Sequence, residues 1–232
     1  MLFRQLFHQE SSTYTYLIAC TKTNNAVLID PVNTDIDDYV ALLESHDLTL
    51  KYALDTHVHA DHITGSGLLK KRLGCQTGVS LLCGAHNPDI QINEGDVFDL
   101  SDSESLKVIS TPGHTAGSVC FLWQDRVFTG DTLLIGGCGR TDFQGGDPGQ
   151  EYDSITQRLF TLPDDTLVYP GHDYKGQFVS NIIQERLGNP RLANKTRAEF
   201  IDIMNNLNLP YPKMIDIAVP ANRDCGIVIQ SA

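Results

Sequence analysis

Residues 56–62 contain three histidines and one aspartate, and they directly follow the apolar run Tyr52-Ala53-Leu54. Histidine and aspartate side chains are costly to bury unless a partner satisfies their polar atoms. Imidazole nitrogens and carboxylate oxygens are ligands for zinc, iron, manganese and nickel ions. The segment therefore indicates a metal site. The alternative is a solvated loop that happens to be rich in histidine.

Four segments of the chain share one design, in which an apolar run leads through a turn residue to a histidine or an aspartate. Their polar members are His57, His114, Asp131 and His172. Strand ends in a layered α/β domain converge on one rim, where polar side chains are available to a ligand. Glycine and proline in these segments let the backbone turn sharply into such a rim. The repetition strengthens the prediction of a metal site.

Short strands that alternate with helices must position these residues. Strands are predicted at 14–18, 26–29, 50–54, 106–109, 119–122, 127–128 and 167–169. Helices are predicted at 35–46, 63–73, 152–162 and 197–207. This order predicts an α/β layered domain with mixed sheets. From about residue 175 the strand pattern fades, so we expect a main domain at 1–175 and a C-terminal extension at 176–232 packed on it.

Composition argues against several classes of function. The formal charge of −12 would repel DNA or RNA, and the longest basic run is Lys70-Lys71-Arg72. The six cysteines include no Cys-x-x-Cys pair, which argues against a zinc ribbon or a disulfide scaffold and favours a reducing compartment. No apolar run is long enough to cross a bilayer, and the N-terminal residues lack a secretory signal. We expect a cytoplasmic protein, or a mitochondrial matrix protein if the chain is a processed form, with no nucleic-acid or membrane partner.

The pattern His57-x-His59-x-Asp61-His62, followed in order by His114, Asp131 and His172, resembles the metallo-β-lactamase superfamily. The resemblance implies an αββα sandwich with a metal at one edge of the two sheets, but it does not fix the reaction. Further motifs are similar to those of the persulfide dioxygenase family within that superfamily. They lie at 136–144, 160–163, 171–176, 189–192, 206–210 and 219–222.

This second resemblance implies a non-haem iron oxidoreductase with one Fe(II) per chain, bound by His57, His114 and Asp131. Two histidines and one carboxylate leave up to three coordination positions open, enough for O₂ and a substrate sulfur together. The implied reaction oxidises glutathione persulfide with O₂ to sulfite and glutathione. The resemblance also implies a homodimer.

Other polar residues near these motifs leave their roles open. His59, Asp61, His62 and His172 hold a second metal in binuclear relatives. At a mononuclear iron site, which we favour, they would orient the ligands and hydrogen-bond water or substrate. Glutathione carries carboxylates, so a local cation is expected to bind it. Arg140 is the first candidate, with Tyr174, Lys175 and Arg223 as further ones. The alternative for Arg140 is a structural role in bracing its own loop.

Two other functions compete with the dioxygenase. A glyoxalase II-like hydroxyacylglutathione thioesterase would use the same seven residues around two metal ions. A metal or persulfide sensor would bind without turnover, and nothing in the sequence supports it. The segment 136–144 and the C-terminal motifs favour the dioxygenase.

Overall fold

The computed structural model describes residues 1–227, which divide into two compact units. Unit 1 comprises residues 1–92, 97–105 and the C-terminal part from Tyr211 onward. Unit 2 comprises residues 93–96 and 106–210. The predicted division of the chain at residue 175 stays a prediction.

The first sheet lies in unit 1 and has six strands in chain order. They are β1 (Leu2–His8), β2 (Thr13–Ala19), β3 (Asn25–Ile29), β4 (Thr49–Leu54), β5 (Gln76–Val79) and β6 (Ile90–Gln91). The β1–β2 and β2–β3 pairs are antiparallel, and β3 to β6 pair in parallel. The sheet is therefore mixed, as predicted. The helices of this unit are α1 (Ile36–Ser45), α2 (Ser66–Leu73) and α6 (Ile215–Arg223), with short 3-10 turns at Asn33–Asp35 and Leu81–Cys83.

Helix α1 forms because its apolar residues recur at helical spacing. Ile36, Tyr39, Val40 and Leu43 are buried in one cluster with residues of β2 to β4. The acidic residues in its first turn stabilise the helix, because their negative charge interacts favourably with the positive end of the helix dipole. Helix α2 ends at Gly74, which adopts a left-handed conformation with φ of 75°.

The second sheet also has six strands, in the order β12-β11-β10-β9-β8-β7. They are β7 (Val97–Ser101), β8 (Glu104–Ser110), β9 (Val119–Trp123), β10 (Arg126–Gly130), β11 (Leu167–Pro170) and β12 (Ser180–Asn181). Strands β10 and β11 pair in parallel, whereas β8–β9, β9–β10 and β11–β12 are antiparallel. The helices of unit 2 are α3 (Pro148–Ser154), α4 (Ile182–Gly188) and α5 (Arg197–Asn205). Their apolar faces share a core with β9 to β11.

All the predicted strands are present, but two predicted helices begin elsewhere. The helix predicted at 63–73 begins at Ser66, because the N–H of Thr64 donates to the Asn222 side chain and that of Gly65 to the Pro31 carbonyl. The helix predicted at 152–162 begins at Pro148, and its N-cap Asp147 accepts a hydrogen bond from the N–H of Gln150. It continues into a π-helical turn at Ile155–Leu159. All six cysteines are buried thiols.

Candidate metal centre

The ends of two parallel strands position the histidine-rich segment in unit 1. Because β3 and β4 are parallel neighbours, their carboxyl ends lie at one edge of the sheet. The chain that follows β4 brings the ring centroid of His59 within 4.1 Å of His57 and 4.4 Å of His62. Ligand atoms of His59, Asp61 and His62 lie within 4.8 Å of one another. The four polar residues predicted from this segment therefore form one cluster.

A hydrogen bond to the neighbouring threonine determines which ring nitrogen of His57 is free to bind a metal. The Thr56 hydroxyl donates to Oδ2 of Asp30 at 2.9 Å, and it lies 3.0 Å from Nδ1 of His57. The hydroxyl has a single proton, so it accepts from a protonated Nδ1. The lone pair of the buried His57 is then on Nε2, which is the arrangement of a metal-ligating histidine.

Asp30 is a residue of the cluster that sequence reasoning missed. Its Oδ1 accepts hydrogen bonds from the backbone N–H of Thr56 at 2.7 Å and from Nε2 of His59 at 3.0 Å. Asp30 is 1% exposed, and it follows strand β3 directly. Its position fits the same design of an apolar strand followed by an aspartate. Asp30 holds the backbone and the ring of the segment together.

Two further buried groups hold the segment. Asp55 accepts hydrogen bonds from the hydroxyls of Thr64, at 2.7 Å, and Ser66. Burial, and next the neighbouring Asp30 carboxylate, raise the pKa of Asp55 to about 7. The Asn222 amide on α6 donates to the carbonyl oxygens of His59 at 2.9 Å and His62 at 2.8 Å. These contacts fix a loop that has few backbone hydrogen bonds of its own.

Unit 2 brings three predicted residues together by the same strand geometry. Strands β10 and β11 are parallel neighbours, so Asp131 and His172 emerge at one edge. Oδ1 of Asp131 lies 3.4 Å from Nε2 of His172, and its Oδ2 lies 3.5 Å from Nε2 of His114. A Cβ atom at Gly171 would lie 2.8 Å from Oδ1 of Asp131, so this close approach requires glycine.

The ring of His114 is also oriented through its Nδ1 atom. Nδ1 lies 2.6 Å from the carbonyl oxygen of Arg140, which can only accept, so Nδ1 carries the proton. The lone pair on Nε2 then faces Asp131. Gly139 allows this contact, because a Cβ atom there would lie 2.6 Å from Nδ1 of His114. His114, His172 and Asp131 thus provide two imidazoles and one carboxylate, which are the side chains of a metal ligand set.

The predicted substrate-binding residues have different surroundings. The guanidinium of Arg140 donates from Nε and Nη2 to the Asp142 carboxylate, at 2.7 Å each, and from Nη1 to the Pro210 carbonyl. This pairing lowers the pKa of Asp142 below its ordinary value. Tyr174 is 73% exposed, and its ring is stacked on His172 with centroids 6.0 Å apart. Lys175 and Arg223 are exposed.

Glu151 is a second residue that sequence reasoning missed. It lies on α3 and is fully buried, and neither carboxyl oxygen has a hydrogen-bond partner in the described part of the chain. Burial raises its pKa well above the ordinary value; Arg191 opposes the shift and Asp131 adds to it. A Cβ atom at Gly113 would lie 2.3 Å from the Cα of Glu151, so α3 packs directly against the turn before His114. No local signal in the sequence distinguishes Glu151 from an exposed helical glutamate.

Comparison with known proteins places this site in a family. The family model described as the metallo-beta-lactamase superfamily matches residues 9–82 and 84–172, a range that includes all seven predicted metal-site residues. The chain is 49% identical to the mitochondrial persulfide dioxygenase ETHE1 of Mus musculus, over 98% of this chain and 89% of that protein. The chain belongs to the metallo-β-lactamase superfamily and, within it, to the persulfide dioxygenase family.

Solved structures confirm the predicted fold class. The crystal structure of ETHE1 from Myxococcus xanthus is similar to this structure with a TM-score of 0.95 and 56% sequence identity, and the match covers 98% of this chain and all of that chain. A hydroxyacylglutathione hydrolase of Pelagibacter ubique is 33% identical over 98% of this chain and 92% of that protein. The rival reaction thus exists among its relatives. The family and the histidine and aspartate groups together indicate a metal-binding protein.

Within residues 1–227, no helix combines the length and the apolar character that crossing a bilayer requires.

Proposed function

We propose that this chain is a persulfide dioxygenase that binds one Fe(II) through His57, His114 and Asp131. The observation that carries the proposal is the 49% identity to a persulfide dioxygenase over 98% of the chain. This similarity extends far beyond the residues of the metal motif. The two histidines also share an arrangement that suits a ligand, since each holds its Nδ1 proton in a hydrogen bond and leaves Nε2 for the metal.

The reaction conserves atoms when one water molecule takes part. A persulfide R–S–S–H, O₂ and H₂O give the thiol R–S–H, sulfite and two protons. The sulfur–sulfur bond breaks, the terminal sulfur is oxidised and O₂ is reduced. Fe(II) held by His57, His114 and Asp131 would supply open coordination positions for O₂ and the persulfide sulfur.

The surrounding residues hold the proposed ligands in place. Asp30 and Asn222 fix the segment that carries His57, and the Arg140 carbonyl fixes the ring of His114. We assign His59, Asp61, His62 and His172 to hydrogen bonding with water, substrate and the iron ligands rather than to a second metal. These residues would set the direction from which the substrate approaches.

Glutathione persulfide is the proposed substrate, and its carboxylates require cations on an acidic protein. Arg140, Lys175 and Arg223 are the proposed cationic contacts, and Tyr174 supplies an exposed ring and hydroxyl beside His172. Arg140 keeps its loop in place through Asp142, so it would bind substrate from an already ordered position. We further propose a homodimer located in the cytoplasm, or in the mitochondrial matrix if the chain is a processed form.

Substrate comparison tests the proposed reaction against the thioesterase. The purified protein is given glutathione persulfide in air, glutathione persulfide under argon, and S-lactoylglutathione under argon. We expect sulfite only from the persulfide in air, with matching oxygen uptake. Hydrolysis of S-lactoylglutathione without oxygen, together with no sulfite from the persulfide, would refute the dioxygenase and identify the protein as the hydrolase.

A further inference from the structure

A loop of unit 2 runs from one candidate ligand to the group that orients another. It begins at Asp131 and ends at Arg140, whose carbonyl oxygen lies 2.6 Å from Nδ1 of His114. The N–H of Gly139 donates to the Asp131 carbonyl oxygen at 2.6 Å, so the two ends of the loop are tied together. The position of this ligand loop, residues 131–140, therefore affects both Asp131 and His114.

The ligand loop has few side chains that could fix its own backbone. Three of the four residues from 136 to 139 are glycines, and glycine loses more conformational freedom on ordering than any other residue. Gly136 is left-handed, with φ of 65°, in a tight turn where Leu134 and Gly137 exchange backbone hydrogen bonds at 3.1 and 3.2 Å. Partners outside the loop are therefore needed to hold its backbone in one position.

Helix α4 and the turn after it supply these partners. Oε2 of Glu185 accepts a hydrogen bond from the N–H of Gly136 at 2.9 Å. The Asn189 amide donates to the Gly137 carbonyl oxygen at 3.0 Å and to the same Oε2 of Glu185 at 2.9 Å. Nη1 of Arg191 donates to the next carbonyl oxygen along the loop at 2.6 Å. Three successive residues of the ligand loop are thus each held from this part of the chain.

Glu185 is buried for its polar contacts rather than for packing. It is 3% exposed, and its Oε1 accepts a hydrogen bond from the Ser180 hydroxyl. Helix α4 already packs in the core of unit 2 through the fully buried Ile182, so packing does not require a carboxyl group here. A carboxyl group is costly to bury unless donors satisfy it, as Ser180, Asn189 and Gly136 do. The bond to Gly136 is the contact that reaches the ligand loop directly.

We propose that Glu185 and Asn189 are positioning residues for the ligands Asp131 and His114. This role rests on the proposed function, because it takes both of those residues as iron ligands. By fixing the turn of the ligand loop, the two side chains keep the Arg140 carbonyl oxygen against Nδ1 of His114 and keep the ends of the loop together. Loss of this support would leave the fold intact but allow the ligands to move, so iron would be bound more weakly.

Glu185→Ala tests this role, with Glu185→Gln and Ile182→Val as controls. Glutamine keeps an oxygen that can accept from Gly136 and Asn189, whereas alanine keeps none. Ile182→Val removes one buried methylene group of the same helix and no hydrogen bond, so it reports the effect of destabilising α4 alone. The iron-loaded proteins are mixed with the ferrous chelator ferrozine at a temperature at which all of them are folded. We expect iron loss to be roughly tenfold faster in Glu185→Ala and to keep the parent rate in both controls.

A second readout reports ligand geometry rather than stability. Co(II) is loaded into the full chain in place of iron, and its visible absorption depends on the arrangement of its ligands. We expect a changed spectrum in Glu185→Ala and the parent spectrum in Glu185→Gln and Ile182→Val. If Glu185→Ala does not fold, Asn189→Ala decides in the same two measurements, because it removes the bond to Gly137 and leaves the Glu185 carboxyl group in place.

Either of two results would overturn the positioning role. The first is iron loss at the parent rate or a parent Co(II) spectrum in Glu185→Ala. The second is an equal acceleration of iron loss in Glu185→Ala and Ile182→Val, which would assign the effect to the stability of α4. If the parent protein holds metal but forms no sulfite from persulfide, the proposed reaction fails, and the two metal measurements still decide the role of Glu185.

Discussion

At the residue scale, hydrogen bonds within the protein already fix the tautomers and ring orientations of the candidate histidine ligands. His57 and His114 each keep the Nδ1 proton in a hydrogen bond, to a threonine hydroxyl and to a backbone carbonyl respectively. Such partners fix the tautomer and the ring orientation, and both contribute to metal affinity. The third proposed ligand, Asp131, lies against Gly171, where a larger residue would displace its carboxylate.

Asp131→Ala should abolish iron retention, because it removes the only carboxylate of the proposed ligand set. Metal analysis of the purified variant measures the effect. Asp153→Ala is the control, since that carboxylate pairs with Arg197 on an exposed surface. Full iron content in Asp131→Ala would refute Asp131 as a ligand.

Arg140→Ala should raise KM for glutathione persulfide by roughly tenfold and change kcat little, because the guanidinium would contact a substrate carboxylate remote from the reacting sulfur. Arg186→Ala is a close control: Arg186 also pairs with a carboxylate, that of Asp164, and with a backbone carbonyl. Steady-state kinetics separates the two variants. An unchanged KM would leave Arg140 with the structural role of bracing its loop.

Glu151→Gln should stabilise the protein increasingly as pH rises. Burial raises the pKa of Glu151 in the folded state, so above its ordinary value of 4.5 the unfolded state loses the proton first. The parent protein therefore loses stability as pH rises from about 4.5 toward the raised pKa, and glutamine removes this loss. Thermal unfolding at equal iron content measures the stability difference between the two proteins. Each kcal/mol of that difference shifts Tm by about 2–4 °C. A Tm difference that does not change between pH 5 and pH 8 would show that Glu151 is not buried as a neutral acid.

At the element scale, helix α6 supports the metal segment from the far end of the chain. The Asn222 side chain makes three hydrogen bonds with the backbone of residues 59–64, at 2.8 to 2.9 Å. Buried backbone groups that lose such partners are costly. The C-terminal part from Tyr211 therefore belongs to unit 1 in structure although it is remote in sequence.

Asn222→Ala should destabilise the protein by about 3 kcal/mol and speed the loss of iron to a chelator, because it leaves buried backbone groups unpaired in the segment that carries His57. Asn206→Ala is the control, since the Asn206 amide donates within its own helix end, to Asp202. Thermal unfolding and the rate of iron loss are the two measurements. Iron loss at the parent rate in Asn222→Ala would show that α6 does not support the site.

At the scale of the whole molecule, the sequence predicted the fold class and seven of the twelve strands that the structure describes. Its assignment of the metal-site residues stays a prediction. Those features depend on local patterns, such as an apolar run followed by histidine or aspartate. Asp30 and Glu151 were missed, and Asn222 entered only as part of the motif at 219–222, because the importance of these residues depends on contacts with residues far away in sequence. Asn222 bonds to residues about 160 positions away, and only the folded chain brings them together. The burial of Glu151 is likewise a property of packing, which composition does not reveal.

The central claim is that one Fe(II) per chain supports oxidation of persulfide by O₂. Its most direct test combines metal analysis with an oxygen electrode on samples loaded with increasing amounts of iron. The account predicts that persulfide-dependent oxygen uptake rises in proportion to iron and saturates at about one iron per chain. Saturation at two metal ions per chain, or turnover of similar rate when zinc replaces iron, would contradict it.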